Sequence, residues 1–504
     1  MSRRKPALAG AQDSESLDPQ DWDGLRSTFH DAIDQAIDFL RDIRRQPVWR
    51  ATPEEVKQRL AAAMPRKGEA LDRLLEIFAN DMLPFGTGNI HPRFFGWVHG
   101  SGNLPGALGE MLAAFMNCNV GGRDHVAVHV ERQVIRWCKE IFSFPAESSG
   151  ILTSGTSMGT VIALAVARNA RGGGDVRGHG LAAAPRRLVG YASSEAHGAV
   201  AKAFELLGLG RDALRLVPAD DNFRLPPARL GEMIAADRAQ GLAPLVVIAS
   251  AGTVNTGAID DIAALAALCR DQGLWLHADA AFGGLAVLTP EFQAPLAALS
   301  EVDSIAFDFH KWLQVPYDAG CVLVRNEAEH RAAFSTRPDY LASAERGLAG
   351  GDPWFCEYGP ELSRGFRALK IWFTIKAHGM DRLAEVIARN CRQASLLGRA
   401  VASSEDLQLL APVSLNIVCF RFIAPGLDAA ALDRLNQDIV AEVQLQGIAA
   451  PSLTKIRGRT AIRVALTNHR TTTEDLAILA NAVRRLGDER CAVRAAPVLE
   501  PEPQ

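Results

Sequence analysis

The segment DSIAFDFHKWL runs a short apolar stretch into Asp308, His310 and Lys311. A lysine at the end of a buried strand has two readings. Its alkyl stem can lie along apolar surface while the ammonium reaches water at a sheet edge. Alternatively, partial desolvation makes the amine nucleophilic toward an aldehyde cofactor, as a Schiff-base lysine requires. Upstream, LWLHADAAFGG runs a second apolar stretch into Asp279, followed by small residues that let a ligand come close to the backbone. Asp279 is either the cap of a following helix or the partner of a protonated ring nitrogen on a heteroaromatic cofactor.

Two further segments bear on the same question. In LTSGTSMGTVIAL, small and hydroxyl residues precede a helix, so backbone N–H groups and the hydroxyls of Thr156 and Ser157 can hold a phosphate at the positive helix end. The segment matches neither the Walker pattern nor the GxGxxG fingerprint, and alone it reads equally as a plain helix cap. In SSEAHGAVAKAFELLG, His197 opens a helix just after the strand LVGYAS, where an imidazole can stack on a flat ring. Each signal is ambiguous by itself. In chain order they give a phosphate turn, a histidine, an aspartate and a lysine on successive strand ends, which converge on pyridoxal 5′-phosphate.

Those strand ends need a scaffold. Between about Gly150 and Val324 the runs RRLVGYAS, LRLVPA, PLVVIASAG, LWLHADAA, SIAFDF and GCVLV alternate with helical stretches. That alternation predicts an α/β fold with a mostly parallel central sheet, and ligands at the carboxyl ends of its strands. From Trp22 to Leu83, apolar residues recur at helical spacing between Pro47, Pro53 and Pro65, which predicts short amphipathic helices that need another surface to cover them. The segments LNIVCFRFI and TAIRVALTN flank helical runs and predict a smaller C-terminal α+β domain. The resulting division is a disordered start (1–18), an N-terminal helical segment (19–105), a large domain (106–380), a small domain (381–490) and a disordered tail (491–504). RNARGGGDVRGHG reads as a surface loop.

Composition narrows the function classes. The 504 residues carry a formal charge of −4, with no basic block interleaved with aromatics, so a small-molecule partner is expected rather than nucleic acid. Eight scattered cysteines without CxxC spacing read as free thiols in a reducing compartment, with no metal site. No apolar run reaches the length of a membrane span, and the start has basic residues but no apolar core of a signal peptide; a cytoplasmic protein without membrane attachment is expected.

With HPRFFGWVHG and SRGFRALKIWFTIKAHG added, these motifs resemble the group II pyridoxal-dependent decarboxylases, the family of aromatic-L-amino-acid and glutamate decarboxylases, from about Trp22 to about Leu486. The resemblance implies the fold of the PLP-dependent transferases (aspartate aminotransferase-like, fold type I) and a homodimer clasped by the N-terminal helices. It implies that Lys311 carries the cofactor, Asp279 pairs with its pyridine nitrogen and His197 stacks on its ring. Thr156, Ser157 and His310 fall where the family holds the phosphate, and Thr253 and Ala281 complete the implied cofactor contacts. Asp308 stands where the aromatic decarboxylases commonly carry Asn. Tyr340, in TRPDYLAS, matches the tyrosine of the family's mobile loop that reprotonates the α-carbon after carbon dioxide leaves. Trp97 and His99 fall in the segment lining the substrate entrance, Asn119 in a segment closer to the glutamate decarboxylases, and Ser363 where phenolic-substrate relatives carry Ser. AGTVNTGAIDDI departs from the family's GTT turn, with Val254 after Thr253. The implied reaction is decarboxylation of an L-amino acid, aromatic by the entrance segment, or acidic or otherwise polar by the Asn119 segment. An aminotransferase with Arg463 as carboxylate clamp and an aldehyde synthase stand as alternatives, the latter disfavoured by Tyr340.

Overall fold

A computed structural model of the chain describes residues 16–336 and 344–495. The chain divides into two compact units, one of residues up to 46 together with 50–87, the other of 47–49 together with 88 onward.

In the first unit the amphipathic pattern becomes helices Trp22–Arg41, Glu54–Leu60 and Leu71–Ile77. Asp21 caps the first, its carboxylate accepting the Gly24 N–H. An Arg59–Asp81 ion pair at 2.6 Å and a Thr28–Asp72 hydrogen bond at 3.0 Å tie the pieces together. The first helix leaves Ile33 and Ile37 exposed one turn apart on its apolar stripe.

Among the described residues the second unit holds twelve strands: β1 (Phe94–Phe95), β2 (Ser149–Thr153), β3 (Leu188–Ser193), β4 (Leu214–Val217), β5 (Ala243–Ser250), β6 (Trp275–Asp279), β7 (Ser304–Asp308), β8 (Gly320–Val324), β9 (Leu407–Leu409), β10 (Ile417–Phe422), β11 (Ala450–Ile456) and β12 (Arg459–Ala465). Seven form one sheet in the order β2-β8-β7-β6-β5-β3-β4. The pairs from β7 through β4 are parallel, while β8 runs antiparallel to both β7 and β2. The all-apolar run of β5 is what a strand covered on both faces needs, and Leu245 to Ala249 are fully buried. Because β8 alone is reversed, β2, β3, β5, β6 and β7 all end on the same edge. Register aligns Ser250 with Asp279, and Asp308 with Gly320.

The remaining strands form the small sheet β1-β11-β12-β10-β9, antiparallel except where β1 joins β11. It has its own core, including Phe95, Leu397, Phe420, Leu435, Ile462 and Leu479. Two boundaries and one loop differ from the sequence expectation. Phe94–Phe95 is an added strand of the small sheet, so 88–105 belongs with the larger unit and not with the helical N-terminal segment. The last helix, Thr473–Ala495, continues into the stretch expected to be a disordered tail. The glycine-rich insertion contains a short helix, Val176–His179, capped by Asp175.

Candidate active site

Lys311 sits in a one-turn helix, Phe309–Trp312, directly after β7. Its Nζ lies 2.9 Å from Asp308 Oδ2, and its side chain is about one-fifth exposed, the half-wet position a reactive amine needs. The other oxygen of Asp308 accepts the Thr156 N–H at 2.7 Å, so one buried carboxylate fixes both the lysine and the first residue of helix Thr156–Arg171. The arrangement depends on glycines. A Cβ on Gly320 would lie 2.5 Å from Gly155 Cα and 2.8 Å from Asp308 Oδ1, and one on Gly100 would lie 2.2 Å from the His310 carbonyl oxygen.

His310 Nδ1 accepts the Ala319 N–H at 3.0 Å, which leaves Nε2 as the protonated nitrogen of the neutral ring. Burial pulls the His310 pKa down even though Asp308 opposes it. Its ring lies against Tyr317, centroids 4.3 Å apart. Asp279 ends β6 and accepts the Ala281 N–H at 3.1 Å. Burial raises its pKa, and the nearby charges of Lys311 and His197 pull the other way. A cation set against Asp279 would therefore meet a carboxylate that burial has left short of partners. His197 caps helix Gly198–Leu206, Nδ1 accepting the Ala199 N–H, with its ring exposed to the cavity.

These residues line one cavity of about 540 Å³. Lys311, Asp279, His197, Asp308 and His310 meet there, as do Thr156, Ser157, Thr253 and Ala281, together with Trp97 and His99. Asn119 and Ser363 do not line it. Asn119 Oδ1 accepts the N–H groups of Gly121 and Arg364, at 2.9 and 3.0 Å, and holds a turn, while Ser363 is exposed on the neighbouring one. Tyr340 lies outside the described residues.

The residues present fit pyridoxal 5′-phosphate. Thr156 Oγ1 is buried with no hydrogen-bond partner, at the positive end of a 16-residue helix, where a phosphate oxygen would satisfy it. Across the cavity stands an aromatic wall. The His99 ring stacks on Trp97 at 5.6 Å and on Phe94 at 5.7 Å, and Tyr317 meets its edge at 6.1 Å. Burial, with the charge of Lys311 adding to it, lowers the His99 pKa, so this wall is neutral. Burial pushes the Tyr317 phenol up to about 12.

Several lining residues escaped the sequence reading: Tyr317, Asn255, Phe282, and Ser452 and Thr454 of β11. Asn255 and Phe282 lie inside segments already singled out, AGTVNTGAIDDI and LWLHADAAFGG, while Tyr317, Ser452 and Thr454 lie in none and are brought in by chain return. The Thr253 hydroxyl pairs with Thr256 Oγ1 at 2.9 Å and accepts the Ala258 N–H, so Thr256 supplies a hydroxyl that Val254 lacks, one turn further on. Arg463 lines the cavity and is held by its wall: Nε donates to the Asn255 carbonyl at 3.1 Å, and its two terminal nitrogens to the carbonyls of Trp97 and Val254. It braces the cavity wall through these three carbonyls. Among the described residues, no cluster of His, Cys, Asp or Glu could hold a metal.

The pyridoxal-dependent decarboxylase conserved domain matches residues 53–423. An aromatic-L-amino-acid decarboxylase of Bacillus atrophaeus is 31% identical over 471 residues, 92% of this chain and 96% of that protein. Tryptophan decarboxylase 2 of Oryza sativa subsp. japonica is 28% identical, over 91% of this chain and 93% of its own length. The solved structure of Oryza sativa TDC with PLP and tryptamine superposes with a TM-score of 0.87 at 25% identity, covering 94% of this chain and all of that one.

Proposed function

The chain belongs to the pyridoxal-dependent decarboxylases and uses pyridoxal 5′-phosphate to decarboxylate an amino acid; we propose that its substrate is an aromatic L-amino acid, released as the corresponding amine with carbon dioxide. The observation that carries the choice of side chain is the neutral aromatic wall of Trp97, His99 and Tyr317 beside Lys311. Rings prefer such edge and offset contacts, and Arg463, the arginine that lines the cavity among the described residues, already donates to three backbone carbonyls. The relatives named above act on aromatic amino acids, in agreement.

When bound, the cofactor supplies an aldehyde for an amine and a ring that accepts the electrons left by the departing carboxylate. The roles of the chain's own residues follow from their placement. Lys311 offers the amine at Nζ, held at the mouth of the phosphate turn by Asp308. Asp279 holds a positive charge opposite its buried carboxylate, keeping a proton on the atom it faces. Thr156 and Ser157, with the helix behind them, take the phosphate, and His197 covers one face of the ring. Tyr340 returns a proton to the substrate α-carbon, a role that rests on its match to the family's loop tyrosine. Asn119 and Ser363 lie outside this cavity, so contacts from them to substrate would require the cavity of a second copy.

A homodimer is part of the same reading. It is supported by Ile33 and Ile37, exposed on the first helix of the first unit, and, separately, by Leu104 and Leu108, exposed along helix Leu104–Met116 in the second. A cytoplasmic setting is supported by eight free cysteines. Among the described residues no helix is long and apolar enough to cross a membrane.

The test is incubation of the purified holoenzyme with the twenty amino acids plus DOPA and 5-hydroxytryptophan, with amines, aldehydes and keto acids read by mass spectrometry. Amine from an aromatic substrate is expected. Amine from glutamate or aspartate alone would overturn the choice of side chain, and aldehyde as main product would move the chain to the aldehyde synthases. Sedimentation equilibrium at micromolar concentration should return twice the chain mass; a monomer would remove the dimer.

A further inference from the structure

Beyond its place in the aromatic wall, Tyr317 has no part in the reaction as described above, yet it carries a polar group into the cavity. It stands in the turn between β7 and β8, and its ring is held by two others, tilted against His310 with centroids 4.3 Å apart and edge-on to His99 at 6.1 Å. Its hydroxyl is placed by the wall segment 97–100. A Cβ at residue 100 would come 2.2 Å from the His310 carbonyl oxygen and 2.5 Å from that of Lys311, so the segment can carry no side chain at its last position. The Tyr317 oxygen comes to that bare place and accepts the Gly100 N–H. The phosphate turn meets a different part of His310, since a Cβ on Gly155 would touch the edge of the imidazole, 3.4 Å from Cε1. Burial, with the charge of Asp308 adding to it, keeps the phenol protonated. With its oxygen already accepting, the hydroxyl still has a proton to give, and no acceptor among the described residues takes it. Elsewhere in the lining such groups are engaged: Thr454 Oγ1 donates to Asn255 Oδ1 at 2.7 Å, Asn255 Nδ2 to Glu195 at 3.2 Å and Ser452 Oγ to the Arg463 carbonyl at 3.4 Å.

We propose, resting on the aromatic assignment above, that Tyr317 is a specificity-determining residue: it donates its phenolic proton to a hydroxyl oxygen on the substrate's ring, so that hydroxylated aromatic amino acids, phenols or hydroxyindoles, are preferred to their unsubstituted counterparts. The donor sits on the wall against which a substrate ring lies, within the same cavity as Lys311. Its ring is about half exposed, so water competes for the bond. The preference is therefore that of a net neutral hydrogen bond, roughly two- to tenfold, and not the far larger discrimination of a fully buried polar pocket. The far end of the substrate ring takes no part in breaking the bond to the carboxylate, so the contact is equally strong before and during that step. It lowers KM and leaves kcat alone.

The test compares matched pairs on the cofactor-saturated enzyme, L-tyrosine with L-phenylalanine and 5-hydroxytryptophan with L-tryptophan, with kcat and KM measured for each. In the pair that is turned over, the hydroxylated member is expected to have the lower KM, by at least about twofold. Tyr317→Phe keeps the ring that packs on His310 and His99 and deletes the hydroxyl, so the preference should fall toward unity through KM. A readout without turnover is calorimetric binding of the amine-free acids of the same pair, such as 3-(4-hydroxyphenyl)propionate and 3-phenylpropionate. The parent enzyme should favour the first and Tyr317→Phe should not. Equal binding of the two acids by the parent, or a preference that survives in Tyr317→Phe, would overturn the assignment. So would a loss of cofactor affinity of about tenfold in Tyr317→Phe, read by fluorescence titration of the apoenzyme, since the hydroxyl would then serve the phosphate. Failure of the aromatic assignment looks different: no amine from any aromatic amino acid, in parent and variant alike, would overturn that reading and this one with it.

Discussion

Asp308 is the residue on which the site turns, because one carboxylate serves two masters. Oδ1 fixes the Thr156 N–H and Oδ2 faces Lys311 Nζ. Asp308→Asn keeps an oxygen for Thr156 and removes the charge beside the lysine, so cofactor binding should survive with turnover reduced. Asp308→Ala removes both contacts. The loss of a hydrogen bond to a charged group costs about 1.5–3 kcal/mol, so cofactor affinity should fall roughly 10- to 100-fold. Fluorescence titration of the apoenzyme with cofactor separates the two, and equal affinities for both variants would contradict the tie to Thr156. Lys311→Ala should abolish turnover and the visible absorbance of the bound cofactor, while Tyr340→Phe should keep that absorbance and lose amine, with any aldehyde read by mass spectrometry. Lys311, Asp279 and His197 were legible in the sequence because each ends or follows an apolar run with a residue type that such runs seldom carry. Arg463 stood in the sequence as the carboxylate clamp of the aminotransferase alternative, and its engagement with three carbonyls is set by folding. Tyr317 had no signal, since its place against His310 comes from the turn between β7 and β8.

At the scale of elements, what holds the phosphate turn against the lysine is close packing of backbone on backbone. Gly320 begins β8, opposite both Thr153 and Asp308, and a Cβ there would press on Gly155 Cα and on the Asp308 carboxylate. Gly155 Cα is backbone, and the Asp308 carboxylate is pinned between the Thr156 N–H and Lys311. Gly320→Ala should therefore lower stability by about 1–3 kcal/mol, as overpacking does, and weaken cofactor binding more than a surface change of equal stability cost. Melting temperature and cofactor affinity, measured together, check this; an unchanged affinity would show that the turn can yield. The six strands expected from sequence, β3 to β8, are all present, since apolar runs bounded by turn residues carry a period the eye can find. β2 was missed because SGILT is short and its neighbour in the sheet, β8, is distant in sequence. β1, two residues long, exists only because β11 offers an edge, which no local pattern announces.

At the scale of the molecule, burial of neutral histidines sets how stability responds to acid. His277 lies between Thr160 and Ser304, and His330 between Ser149 and the Tyr358 carbonyl, both without exposure to water. Burial lowers each to about 4, as it does His469, against an ordinary value of 6.5. Between those values the unfolded chain binds protons that the folded chain refuses, so the stability these groups contribute is present above about pH 6.5 and is lost as pH falls toward 4. Asp260 has the opposite sign. Burial raises it to about 6, and its favourable contribution is present below the ordinary carboxylate range and lost as pH rises through 6. These three histidines and Asp260 by themselves contribute a net uptake of about two protons on unfolding near pH 5, roughly 2–3 kcal/mol per pH unit; the lowered His99, His310 and His378 add to that slope, and the raised Asp279 and Asp303 subtract from it. Urea unfolding of the holoenzyme at a series of pH values should show stability rising from pH 4.5 to 6.5. In His277→Gln, where an amide can still bridge Thr160 and Ser304, the slope should drop by about one proton, or about 1.4 kcal/mol per pH unit. A slope unchanged by that substitution would mean that His277 is protonated in the fold, with both ring nitrogens donating, one to Thr160 Oγ1 and the other to Ser304 Oγ.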